Sequence, residues 1–153
     1  MFLVHNYKLE DIFECVLKFW YSLTCLIKQF LHKEGEINMS TPKKVSYDER
    51  VCRGEGTNYI VDNYITGELS QKVSLAISHL RGELWGTKNI ESDRVYYFIE
   101  GSGHFSFDDN SKIDVVKGDV LLIPANIGYK MNGHFDAVLV NSPAFDIKNE
   151  VEV

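Results

Sequence analysis

The sequence predicts an all-β domain behind a helical extension, and three observations predict it. From residue 58 onward, short runs rich in β-branched and aromatic residues alternate apolar with polar positions. Gly, Asn and Asp turn signals separate these runs. The first 38 residues have another period: Leu9, Ile12, Phe13, Val16, Trp20, Leu23 and Ile27 recur at steps of three and four.

The extension, residues 1–38, therefore reads as helix, with Gly35 as its stop. Glu14 and Lys18 interrupt its apolar run, so no membrane span is expected. It has no basic start or small-residue cleavage site, which makes it a poor secretory signal. Three roles stay open. The helix packs on the barrel or a partner subunit, it lies on a membrane surface, or Met39-Ser-Thr-Pro is the natural start and residues 1–38 lie outside the native protein. The second part, residues 39–153, is expected to hold one β-domain. Its predicted strands are residues 58–66, 72–80, 94–100, 103–107, 112–116, 119–124, 128–131 and 135–141. Thr66-Gly67, Gly101-Ser102-Gly103, Asp108-Asp109-Asn110, Lys117-Gly118 and Asn132-Gly133 are read as turns, and residues 82–87 as a loop. Many short strands without helical pattern between them indicate a sandwich or barrel.

Composition excludes several partners. A net charge of −6 over 153 residues argues against nucleic acid and against docking on an anionic membrane. The three cysteines, Cys15, Cys25 and Cys52, are odd in number and form no CxxC pair. Reduced thiols in a cytoplasmic protein are expected rather than a disulfide framework or zinc knuckle.

Two motifs carry a resemblance. Gly118-Asp119-Val120-Leu121-Leu122-Ile123-Pro124 is a strand closed by a proline turn, with Tyr129 a few residues on. Arg94-Val95-Tyr96-Tyr97-Phe98-Ile99-Glu100-Gly101-Ser102-Gly103 is a strand entering a tight turn. Together, over residues 72–146, they resemble the cupin family, a double-stranded β-helix or jelly-roll barrel. The resemblance implies a homodimer formed through the outer sheet. It also implies a metal held by two His and a Glu of the first motif and a His of the second. In this sequence the Glu position is Arg94, the two His positions fall near Lys88 and Ile90, and the last His position is Tyr129. A guanidinium cannot ligate a metal and repels one. The expectation is therefore a metal-free domain with no cofactor.

If the family's inward face is kept, the vacated site becomes a ligand pocket. Arg94, Tyr96, Phe98, Tyr129 and Met131 are the candidate ligand-binding residues, with Lys88 at the rim. Arginine favours a carboxylate or phosphate, and tyrosine and phenylalanine walls suit sugars. His79 shares a face with Val73, Leu75 and Ile77, and that face is expected to point inward. Each residue also has a bland reading. Arg94 pairs at the surface with Glu91 or Asp93, Lys88 is solvated, Tyr129 fills vacated space, and Tyr96, Phe98, Met131 and His79 are core. Trp85 either covers the mouth or caps the core.

Two functions follow. The first is a metal-free module that binds a small anionic or carbohydrate-like ligand. The second is a metal-independent sugar isomerase or epimerase with His79 and Tyr129 as its acid–base pair. The sequence lacks the His–Asp signature expected of nucleotide-sugar epimerases, which ranks it second. Whether the chain is an enzyme is left open.

Overall fold

Three long antiparallel ribbons carry the architecture. The computed structural model describes residues 41–153, so the helical expectation for residues 1–38 lies outside the described residues. The strands are β1 (Val51–Arg53), β2 (Tyr59–Ile65), β3 (Ser74–Asn89), β4 (Asp93–Phe107), β5 (Lys112–Val116), β6 (Val120–Ile123), β7 (Tyr129–Ser142) and β8 (Glu150–Glu152). β7 lies between β3 and β4 and pairs with both along most of its length. β2 pairs with one half of β3 and β8 with the other, at Thr87–Asn89. β6 and β5 pair with successive halves of β4. This is the cupin jelly roll that the two motifs implied.

Three predicted breaks are not breaks. Gly101–Gly103, Asn132-Gly133 and residues 82–87 all lie inside strands. The physical reason is a row of glycines across the ribbons. Gly82 pairs with Gly133, and Gly133 pairs with Gly103. A Cβ on Gly133 would stand 2.5 Å from the Gly103 Cα, and Gly133 has φ of +156°. Glycine here marks a crease where backbones close up while the ladder continues. The turn chemistry was visible; its use as a bend inside a strand was not.

The inward faces of β4, β5, β6 and β7 supply most of the core. Phe98, Phe105 and Phe135 pack edge to face or stacked, with Phe98 and Phe135 centroids 5.0 Å apart. Such contacts between buried rings add to area burial. β3 contributes differently. In its first half the buried residues are Ser74, Ala76, Ser78 and Leu80, while Leu75, Ile77 and His79 face outward and are half-buried. Small inward side chains leave room inside the barrel. That face assignment corrects the expectation for His79, and the cause is plain. β3 carries its larger aliphatic residues on its outer side, so an apolar-face argument selects the wrong one.

Gly133→Ala is expected to cost at least ~2 kcal/mol, from strain at positive φ plus overpacking against backbone. Gly118→Ala, also at positive φ but with nothing within 4 Å of the added Cβ, should cost only ~1 kcal/mol. Denaturant midpoints of the two variants test this, and equal losses would reject the crease.

Candidate functional site

The site is built around one buried cation. Arg94 opens the inward face of β4 and is only 5% exposed. Nη1 donates to the Tyr129 hydroxyl at 2.7 Å, and that hydroxyl lies 2.9 Å from the hydroxyl of Tyr96. Nη2 donates to the Glu150 carboxylate. Glu150 is held from two further directions, by the Thr87 hydroxyl and by the Asn89 side-chain amide at 3.2 Å. So β8 is joined to the barrel by side chains as well as by its ladder to β3.

This arrangement fixes protonation. Burial would depress the Arg94 guanidinium, but Tyr129, Tyr96 and Glu150 more than offset it and hold the group above its ordinary range. Burial pushes the phenols of Tyr129, Tyr96 and Tyr59 well up. At neutral pH the tyrosines are therefore neutral donors and acceptors. Glu150 is the charge that balances Arg94.

Beside this group opens a cavity of about 460 Å³, within the range of small-molecule sites. Its apolar wall includes Val61, Leu84, Met131, Leu139 and Phe145, with Tyr59 and Trp85 as aromatic neighbours. Its polar side chains include Asn63, Thr87, Tyr129 and Asn141. The charged lining is two arginines, Arg53 and Arg94, and two glutamates, Glu150 and Glu152, so its formal charge is zero. Trp85 is 83% exposed and still lines the cavity, which makes it a rim residue rather than a core cap.

The nominated residues separate cleanly. Arg94, Tyr129 and Met131 line the cavity. Tyr96 stands one hydrogen bond behind Tyr129, fully buried, and Phe98 belongs to the aromatic core. Lys88 is not at the rim: it does not line the cavity, and its neighbours Thr87 and Asn89 both turn their side chains to Glu150, which leaves Lys88 on the opposite face. Arg94 is not a surface cation, and its partner is Glu150 instead of Glu91 or Asp93.

His79 is outside altogether. Nδ1 lies 2.9 Å from Asp136 and Nε2 lies 3.7 Å from Asp62. Arg81 and Arg50 complete this outer chain of charges, at 2.7 Å from Asp136 and 3.0 Å from Asp62. Burial would raise the Asp136 carboxyl, yet bonds from His79 and Arg81 outweigh it and hold the group below its ordinary value. His79 and Tyr129 therefore share no cavity and do not form an acid–base pair.

Sequence reasoning missed Glu150, Asn141, Thr87 and Tyr59. A signal existed for two of them. Asn141 has the same strand parity as Phe135, Ala137 and Leu139. Glu150-Val151-Glu152 alternates as a strand does, which puts both glutamates on one side.

The four positions that the resemblance would assign to a metal carry Lys88, Ile90, Arg94 and Tyr129 in this chain. Arg94 places a guanidinium against Tyr129, Ile90 is 45% exposed, and Lys88 points away. Among the described residues no group of three His, Cys, Asp or Glu is placed to hold a metal ion.

Removing Glu150 would strand a buried cation. Glu150→Ala is expected to cost ~3–5 kcal/mol, and the Arg94→Met/Glu150→Leu double variant much less, since paired replacement by apolar residues leaves no orphan charge. Chemical denaturation of both variants checks this; a double variant at least as unstable as Glu150→Ala would contradict it.

No protein-family model matches the chain, and no curated protein does. Solved structures do match. Pac13 of Streptomyces, described as a unique nucleoside dehydratase and solved with uridine, is 20% identical with a TM-score of 0.66, over 74% of this chain and 92% of that one. Bacillus subtilis oxalate decarboxylase OxdC is 15% identical with a TM-score of 0.62, over 77% of this chain and 34% of its own. KdgF from Halomonas is 13% identical with a TM-score of 0.59, over 69% and 97%. At these identities the likeness shows the fold, and the fold is that of the cupins.

Proposed function

We propose that residues 39–153 form a metal-free cupin domain that binds a small, uncharged ring compound of sugar or nucleoside character. The observation that carries this reading is the charge balance of the cavity. Arg94 has its counter-charge in Glu150, and the two arginines of the lining are matched in number by two glutamates, so an anionic ligand meets no net positive charge. What remains is an apolar wall, an aromatic rim residue and fixed polar groups, which suits a ring with hydroxyl or carbonyl edges. The uridine bound by Pac13, a protein of the same fold, supports that class. The metal-free reading rests on the poor fit of the four ligand positions. The odd cysteine count supports a reducing, cytoplasmic setting.

The isomerase reading loses support. It requires His79 inside, and His79 is outside. It also needs an acid–base group poised near neutral pH, and burial drives the Tyr129 phenol the other way.

We also propose a homodimer through the outer sheet. Two apolar rows cross this face. Leu122, Val95, Val140 and Leu75 are successive ladder partners, as are Val120, Tyr97, Val138 and Ile77. Val120, Leu122 and Tyr97 are 64%, 57% and 47% exposed. A continuous exposed patch of this kind favours an interface, and a second copy brings a matching one.

A thermal-shift series with uridine, ribose and oxalate, run beside elemental analysis, tests the ligand class. Uridine or ribose should raise Tm by several degrees at about 100 times Kd, with Trp85→Ala weakening the response. Stabilisation by oxalate alone, or stoichiometric metal, would refute the reading. Light scattering tests the dimer. The wild type should weigh twice 17.6 kDa and Leu122→Lys half of that; a monomeric wild type ends the proposal.

A further inference from the structure

Two residues of the cavity lining each carry a buried polar atom with nothing to bond. Arg94 Nε and Asn141 Oδ1 are buried and without a hydrogen-bond partner. Their residues are 5% and 3% exposed, and both line the cavity. They are direct partners across the β4–β7 ladder, so both side chains lie next to each other on the inward face. One atom is a donor and the other an acceptor, yet they are not bonded to each other.

The rest of each side chain is already committed. Arg94 gives Nη1 to Tyr129 and Nη2 to Glu150. Asn141 gives Nδ2 to the Ser74 hydroxyl at 3.1 Å, and that hydroxyl also accepts from the Phe145 amide at 3.0 Å. These bonds hold the guanidinium and the carboxamide in place, and the one side-chain nitrogen or oxygen atom with no partner is Nε in Arg94 and Oδ1 in Asn141. Native structures seldom leave such groups unexplained, because each forfeits its hydration without compensation.

We infer that this pair reads the edge of a cis-amide: a lactam, an imide or a primary carboxamide. A ligand carbonyl accepts from Arg94 Nε, and the adjacent ligand N–H donates to Asn141 Oδ1. A fixed donor beside a fixed acceptor matches a planar edge whose own acceptor and donor are fixed side by side. A sugar hydroxyl, which rotates to serve either role, gains less from that arrangement. The same edge answers the cavity's charge balance, because an amide brings polarity without charge. The inference rests on the ligand-binding reading above and narrows its ring compound to one with an amide edge.

The test uses three probes on the full chain: glutarimide, N-methylglutarimide and ribose, measured by titration calorimetry. The two imides differ only at nitrogen, where an N–H is replaced by the larger N–CH3. Glutarimide should bind at least about tenfold more tightly than its methylated form, the loss of one hydrogen bond to a buried partner. Asn141→Leu should remove the gap between them; the wild-type comparison stands by itself if that variant does not fold. Equal binding of the two imides overturns the inference. So does binding of ribose with neither imide bound, which would leave the cavity reading standing. No binding by any of the three, or by uridine, overturns both and leaves an ordered water as the partner of the two atoms.

Discussion

A charged guanidinium inside a barrel must be answered, and most of this site follows from how Arg94 is answered. Tyr129 takes one of its N–H groups and Glu150 another. Burial of a lone cation is far costlier than burial of a hydrogen-bonded pair. The need for a counter-charge therefore draws residues 150–152 onto the far end of β3. With them comes the segment before them, and Phe145, Ile147, Glu150 and Glu152 together form a wall of the cavity.

The other constraint is volume. Rings fill part of the barrel, where Phe98, Phe105 and Phe135 leave little free space between them. Elsewhere β3 presents Ser74, Ala76 and Ser78 inward, and the small Ala76 forms part of the cavity lining. The same strand turns Leu75 and Ile77 outward, so one choice of side chains opens the interior and makes the exterior apolar. Binding site and proposed interface are thus two sides of one sheet.

Much of this was legible in the sequence and some of it was not. Strand existence was clear from alternation, and the pairs Gly118–Pro124 and Gly101–Gly103 pointed to the right fold. The union of neighbouring strands into long ribbons was hidden, because a glycine at a crease and a glycine at a turn look alike along the chain. Arg94 and Tyr129 were found because the resemblance named their positions. Glu150 was not, since its role depends on a contact across 56 residues that no local pattern encodes. His79 was misplaced for an instructive reason. The rule that apolar faces point inward fails on a strand whose outer face is itself apolar and half-buried.

The position of Glu150 also bears on how this chain tolerates change. Residues after the last long strand of a barrel are ordinarily where sequence drifts, where proteases trim and where reading-frame errors do least harm. Here that stretch supplies the counter-ion of an interior cation. Loss of Glu150 with its short strand would act like a lesion at the centre of the barrel, although that strand lies at the surface. The integrity of the interior therefore depends on a segment that looks dispensable from outside.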